Sequence, residues 1–212
     1  KEVLKLIDLD KISFNEDGLV PVIAQNYYNG KILMQAYANK EAIQETIKSG
    51  YATYFSRSRQ SLWKKGETSG NLQKVIDIKI DCDEDSLIYL VVEEGPACHT
   101  GEESCFYRNL NLEKDTKPLP FEILHKLYEK IEERKNTKPE GSYVAKLFEK
   151  GSDKIIQKVG EEAIETVIAL KNKNKDEIIY ETADLLFHLL VALVDSGVKL
   201  EYIQEELLKR YK

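Results

Sequence analysis

The stretch DCDEDSLIYLVVEEGPACHTGEESC, Asp81 to Cys105, decides how the first half of the chain is read. It carries all three cysteines of the protein, Cys82, Cys98 and Cys105, and three alternating aspartates, Asp81, Asp83 and Asp85. If Val75–Asp81 (VIDIKID) continues as a strand, successive side chains point to opposite faces. The aspartates then share one face and offer hard oxygen donors, which suit magnesium. Cys82 faces the other way with a soft thiolate, which suits zinc. Three thiolates match a catalytic zinc with one open position, because a closed structural site takes four protein ligands. His99 is either a fourth ligand or a base beside the metal, since neighbours Cys98 and His99 tend to point apart. The plainer alternative is three small buried hydrophobes in a reducing compartment.

Outward from that stretch, the first 110 or so residues alternate like an α+β domain. Val20–Asn26 is apolar and β-prone, Tyr27-Tyr28-Asn29-Gly30 signals a hairpin turn, and Lys31–Ala38 supplies the partner strand. Asn39 is a candidate N-cap for a short helix, Lys40–Lys48, ending at Gly50. Tyr51–Ser56 and Leu87–Glu93 read as further strands, giving four or five in a small sheet. Leu112–Pro120 is charged, contains two prolines and has no periodicity, so it reads as a linker. The predicted domains are 1–112 and 121–212, joined by 113–120. From Phe121 the pattern is helical: Phe121–Arg134, Ser142–Glu149, Lys154–Lys171, Asp176–Asp195 and Leu200–Tyr211. An all-α domain of that size is small, and self-association would help bury its apolar faces.

The whole chain has 212 residues, 32% of them charged, with a net charge of −6. Mean hydropathy is −0.44 and the pI is near 5.3. This acidic balance argues against general nucleic-acid binding, which shows as a basic patch on a basic domain. No apolar run is long enough for a transmembrane helix, and KEVLKLIDLDKISF has no signal-peptide hydrophobic region. Three cysteines fit a reducing cytoplasm better than a disulfide scaffold. The chain starts at Lys1 rather than Met, which leaves room for an initiator or leader upstream.

A second acidic constellation lies in the helical half. Glu161, Glu162 and Glu165 stand on one helix, Glu181, Asp184 and His188 on the next, at spacings that share a face. Like charges so placed repel, and a divalent cation reverses that sign. A solvated polar face is the alternative. Against it, Glu177 to Val198 contains no Lys or Arg, whereas a solvated face interleaves both signs. The same helix is apolar around most of its circumference, which predicts that it is largely buried, and buried carboxylates need partners or a metal.

Several segments carry a family resemblance. Phe55-Ser56-Arg57-Ser58-Arg59, Leu62 to Asn71 (LWKKGETSGN), Asp81 to Asp85 (DCDED), Gly95 to Gly101 (GPACHTG) and Ser104-Cys105-Phe106 resemble phosphoribosyl-AMP cyclohydrolase. Gly141-Ser142-Tyr143, Lys146-Leu147-Phe148, Lys158 to Glu165 (KVGEEAIE), Glu181-Thr182-Ala183-Asp184 and His188 are similar to phosphoribosyl-ATP pyrophosphohydrolase. The second pattern, EExxE then ExxD, looks like the MazG-like all-α pyrophosphohydrolases. In this order the two resemble the bifunctional enzymes of histidine biosynthesis.

The resemblance implies a small, dimeric, metal-binding β-sheet domain followed by a MazG-like helical domain. It also implies two hydrolyses in reverse chain order. The C-terminal domain cleaves phosphoribosyl-ATP to phosphoribosyl-AMP and pyrophosphate. The N-terminal domain uses zinc-activated water to open the adenine ring between N1 and C6, giving ProFAR. It further implies that Cys82 of one subunit shares zinc with Cys98 and Cys105 of the other, in a homodimer. Asp81, Asp83 and Asp85 take magnesium, and His99 transfers the proton. Arg57, Arg59, Lys65, Ser69 and Asn71 are candidate substrate contacts. Trp63 either stacks on the purine or fills the core. In the second domain Glu161, Glu162, Glu165, Glu181 and Asp184 hold magnesium, one glutamate (Glu165 is the candidate) orients water, and Lys146, Lys154 and Lys158 meet phosphates. His188 is either beside the metal ligands or an ordinary helix histidine. The rival is a house-cleaning nucleotide pyrophosphatase with a non-catalytic zinc dimerisation domain.

Overall fold

Val20, Val22 and Ala24 of β1 (Val20–Asn26) and Leu87, Tyr89 and Val91 of β6 (Leu87–Glu93) are buried at every second position, as half-buried strands require. The computed structural model describes residues 9–114 and 117–211; Asp115 and Thr116, in the expected linker, lie outside them. The chain divides into two units, Lys1–Lys117 and Pro118–Lys212.

In the first unit β1 pairs antiparallel with β2 (Ile32–Ala38) and parallel with β6. With β3 (Thr53–Ser56), β4 (Ser61–Lys64) and β5 (Gln73–Ile80), the sheet among the described residues has the order β4-β3-β2-β1-β6-β5. Helix α1 (Lys40–Ser49) presents Ala42, Ile43 and Thr46 to the core. Its ends are where the sequence predicts them: Asn39 accepts a hydrogen bond from the Ala42 amide, and Gly50 closes the helix at φ 76°. Tyr54 stacks on Tyr89 with ring centroids 5.7 Å apart, and both rings are fully buried. Each such side chain taken out of water contributes roughly 1.5–3 kcal/mol.

Two expectations need correcting. Among the described residues the sheet has six strands, not four or five, because Ser61–Lys64 is a strand too short and too polar for its period to show. It forms a hairpin with β3. Tyr51 only bridges Lys74, so β3 begins at Thr53 rather than Tyr51.

The second unit contains α2 (Ile123–Thr137), α3 (Tyr143–Lys150), α4 (Ser152–Asn172), α5 (Lys175–Ser196) and α6 (Leu200–Arg210). Its core joins Ile131, Val144, Leu147, Ile155, Leu190, Val191, Val194 and Leu200. Lys173 in the left-handed conformation ends α4, and the Asn174 side chain caps α5. Here the expectation of a largely buried α5 fails within a single chain. Ile179, Tyr180 and Leu186 on α5, with Ile164, Val167 and Ile168 on α4, are exposed. Only the face bearing His188, Leu190, Val191 and Val194 is buried. Among the described residues no helix is long and apolar enough to cross a membrane.

Candidate metal centres

The three aspartates do come together, though not by strand alternation. Strand β5 ends at Ile80, and residues 81–86 form the turn to β6. Asp81 Oδ1 accepts the amides of Asp85 (3.0 Å) and Ser86 (3.1 Å), and Glu84 takes a φ of 66°. This winds the backbone so that one carboxylate oxygen from each of Asp81, Asp83 and Asp85 lies within 4.8 Å of the others. The Asp83 charge, with some burial and Asp81, raises the Asp85 carboxyl above its ordinary value. Mutual repulsion among hard oxygen donors is what a divalent ion would relieve. Cys82 is exposed in the same turn.

The loop from Cys98 to Cys105 is fastened to itself and to β2. The Ala97 and Cys98 amides bond to the Glu103 and Glu102 carbonyls, the Cys105 amide donates to Leu33 O at 2.7 Å, and Ser104 Oγ donates to Ile32 O at 2.7 Å. Thr100 Oγ1 lies 3.0 Å from Cys98 Sγ. That hydrogen bond lowers the Cys98 thiol below its usual value, helped by Cys105. Burial, and then Cys98 itself, push Cys105 up to about 11. Two adjacent thiols that cannot both ionise unaided fit a soft cation, which deprotonates thiols on binding. Among the described residues Cys82 does not join these two in a three-ligand cluster. His99 is exposed, with Nδ1 4.0 Å from Cys98 Sγ.

The segment Lys65 to Asn71 packs closely through glycines, against itself at Gly66 and against the turn that precedes this loop at Gly95. A side chain on Gly66 (φ 83°) would meet the Asn71 carbonyl carbon and oxygen at 2.4 Å, and one on Gly95 would meet Asn71 Oδ1 at 2.5 Å. Asn71 is thus wedged between the two turns, with its amide 3.3 Å from Ser69 Oγ. Lys65 is buried, and its charge is felt by Cys105 and Glu93. Burial, then Glu103, push the Glu93 carboxyl up to about 7. Trp63 is partly buried against Tyr54, 5.0 Å between centroids. The guanidinium of Arg57 lies 4.1 Å over the Tyr37 ring, and Arg59 Nε reaches Ser56 Oγ at 3.3 Å. Thr100 and Glu93 are neighbours of the site that spacing alone did not single out, although Thr100 lies within the quoted GPACHTG segment.

In the second unit Glu162, Glu165 and Glu181 bring carboxylate oxygens within 4.8 Å of one another. Thr166 Oγ1 fixes the level at which α4 and α5 meet, bonding to Glu162 O at 2.8 Å and Glu181 O at 3.1 Å. Burial, then Glu162, raise the Glu165 carboxyl. Glu161 and Asp184 are not in this group among the described residues. Glu161 turns to Gln157 (2.6 Å) and Lys158 (3.0 Å), with Lys154 3.9 Å away. Lys158 Nζ also sits 2.6 Å from Glu162 Oε1, and its hydrogen bond lowers the Glu162 carboxyl. Lys146 is exposed.

His188 is buried, with Nδ1 2.9 Å from Asp184 O and 3.7 Å from Glu162 Oε1. A carbonyl can only accept, so Nδ1 carries the hydrogen. In the neutral ring Nε2 then accepts from the Tyr143 hydroxyl at 2.9 Å. No local sequence signal pointed to that pairing, since 45 residues separate the partners.

Residues 34–107 match the family Phosphoribosyl-AMP cyclohydrolase, and residues 124–211 match Phosphoribosyl-ATP pyrophosphohydrolase. The chain is 54% identical over 203 residues to the histidine biosynthesis bifunctional protein HisIE of Aquifex aeolicus, covering 95% of this chain and 99% of that one. The protein of the same name from Thermus thermophilus is 48% identical over 206 residues, 97% and 95% of the two chains. That of Pyrococcus furiosus is 47% identical over 214 residues, spanning both chains fully.

Proposed function

This chain belongs to the bifunctional phosphoribosyl-AMP cyclohydrolase/phosphoribosyl-ATP pyrophosphohydrolase family of histidine biosynthesis, and from that membership we propose how its residues divide the work. Residues 1–112 open the adenine ring, residues 121–212 release pyrophosphate, and 113–120 connect them. The observation that carries the division is the pair of chemically different donor sets: thiols on the Cys98–Cys105 loop, and carboxylates where α4 meets α5.

For ring opening, Cys98 and Cys105 of one subunit and Cys82 of another hold zinc. Zinc, when bound, supplies a water acidic enough to attack near neutral pH. Thr100, hydrogen-bonded to Cys98 Sγ, lowers the Cys98 thiol and so favours its thiolate form. His99, exposed beside Cys98, moves the proton: it leaves the water as oxygen joins C6, and reaches N1 as the N1–C6 bond breaks. Arg57, Arg59 and Lys65 bind phosphate, Ser69 and Asn71 contact the substrate, and Asp81, Asp83 and Asp85 would hold magnesium. Trp63 packs on Tyr54 and remains partly exposed, so it either stacks on the purine or fills the core.

For pyrophosphate release, Glu162, Glu165 and Glu181 hold magnesium, with Asp184 and Glu161 beside them. The ion, when bound, screens the triphosphate and its leaving group. Glu165, whose carboxyl burial and Glu162 raise, orients the attacking water. Lys146, Lys154 and Lys158 meet the phosphates. His188 keeps Tyr143 in place at the edge of the site. The enzyme works in the cytoplasm, where thiols stay reduced.

The shared zinc is supported by the fact that, among the described residues, Cys82 does not join the other two cysteines in a three-ligand group. It makes the homodimer necessary for ring opening. Mixing Cys82→Ala and Cys98→Ala chains, each inactive alone, therefore restores about a quarter of wild-type ring opening, because half the dimers are mixed and each has one intact site. The rate of phosphoribosyl-AMP loss in the re-equilibrated mixture measures this. A mixture as inactive as its parents places all three ligands in one chain.

A further inference from the structure

We propose that Lys158 is the resident counter-cation of the acidic site, displaced from Glu162 when a divalent metal binds and thereby released to the substrate's triphosphate. The proposal rests on Glu162, Glu165 and Glu181 being metal ligands, as assigned above.

Glu162 belongs to two arrangements at once. One of its oxygens is within 4.8 Å of the Glu165 and Glu181 carboxylates. Its Oε1 is also 2.6 Å from Lys158 Nζ, one helical turn away on α4. A magnesium ion ligated by a carboxylate sits about 2.1 Å from its oxygen, so at Glu162 ion and ammonium would crowd the same carboxylate. The Glu162 side chain is only 4% exposed, and water screens such a clash poorly. The ammonium is the mobile partner: it rides a flexible four-carbon stem and is 23% exposed.

Lys158 does not leave the neighbourhood. Its second partner is Glu161, 3.0 Å away, which is outside the three-carboxylate group and is also held by Gln157 and approached by Lys154. Glu161 thus tethers the released ammonium at the rim of the site, where a metal-chelated triphosphate presents its oxygens. Lysine and metal compete when substrate is absent and act together when it is present. Removing the lysine should therefore change the two affinities in opposite directions.

Manganese binding to the full-length protein, followed by electron paramagnetic resonance, tests this. The relevant site is the one missing from Glu165→Gln. At that site Lys158→Met binds manganese about tenfold more tightly than wild type, a coupling of ordinary size, while Lys154→Met stays within about twofold. The KM of Lys158→Met for phosphoribosyl-ATP rises by about tenfold. Unchanged or weaker manganese binding in Lys158→Met overturns the proposal, as does equal tightening in Lys154→Met, which would mark a diffuse charge effect. If Glu165→Gln loses no manganese site, the metal assignment itself falls and takes this proposal with it. A second measurement needs no variant: acetylation of Lys158 by sulfosuccinimidyl acetate, read by mass spectrometry, accelerates several-fold when magnesium is added. An unchanged rate overturns displacement.

Discussion

Cys105→Ala stops ring opening of phosphoribosyl-AMP, with a loss of about 10³-fold or more, and leaves pyrophosphate release from phosphoribosyl-ATP at the wild-type rate. The size follows from what the thiol does. Cys105 is the harder of the loop's two thiols to ionise, pushed up by burial and by Cys98, so only a bound cation makes it a useful donor. On the proposed ligand set, zinc would be left with two thiolates, and a water on it would lose the environment that makes it acidic near neutral pH. The loop itself survives, because its fastenings are backbone and Ser104 hydrogen bonds that do not involve the Cys105 side chain. Separate assays of the two substrates, with zinc content measured alongside, decide the matter. Loss of both activities in a folded variant would contradict the division of labour.

Glu165→Gln produces the mirror image. Conversion of phosphoribosyl-ATP falls by about 10²- to 10³-fold, while supplied phosphoribosyl-AMP is still opened. The substitution keeps size but trades one accepting carboxylate oxygen for a donating NH2, and it removes one negative charge from a cluster whose oxygens lie within 4.8 Å. Metal affinity therefore drops, and the group proposed to orient the water is lost. Pyrophosphate produced at the wild-type rate by this variant would remove Glu165 from the site.

Much of the fold is legible in the sequence, and the features that are not legible are hidden for identifiable physical reasons. Strands β1 and β6 and helix α1 follow from local signals, with apolar residues at every second position and caps at Asn39 and Gly50. Strand β4 was hidden because four residues give a period no room to repeat. The aspartate trio was found for the wrong reason. A strand and a tight turn can both gather alternate residues, and only the Asp81 hydrogen bonds to Asp85 and Ser86 distinguish them. Periodicity put Glu161 beside Glu165, but it did not weigh the Lys154, Gln157 and Lys158 side chains that draw Glu161 away. The apolar circumference of α5 predicts a largely buried helix, but Ile179, Tyr180 and Leu186 are exposed, because composition alone does not say how much of that circumference the neighbouring helices cover. Contacts between distant segments, such as Tyr143 with His188 or Asn71 with Gly95, leave no mark in local spacing.

The central claim is that one chain carries two separate hydrolytic sites, each able to work when the other is broken. An equimolar mixture of Cys105→Ala and Glu165→Gln, supplied with phosphoribosyl-ATP, zinc and magnesium, tests it most directly through the ultraviolet absorbance of the ring-opened product. Neither variant alone forms that product from phosphoribosyl-ATP. The mixture is predicted to form it steadily, because phosphoribosyl-AMP released by the first variant is consumed by the second. A mixture that releases pyrophosphate and accumulates phosphoribosyl-AMP without opening it would contradict the account.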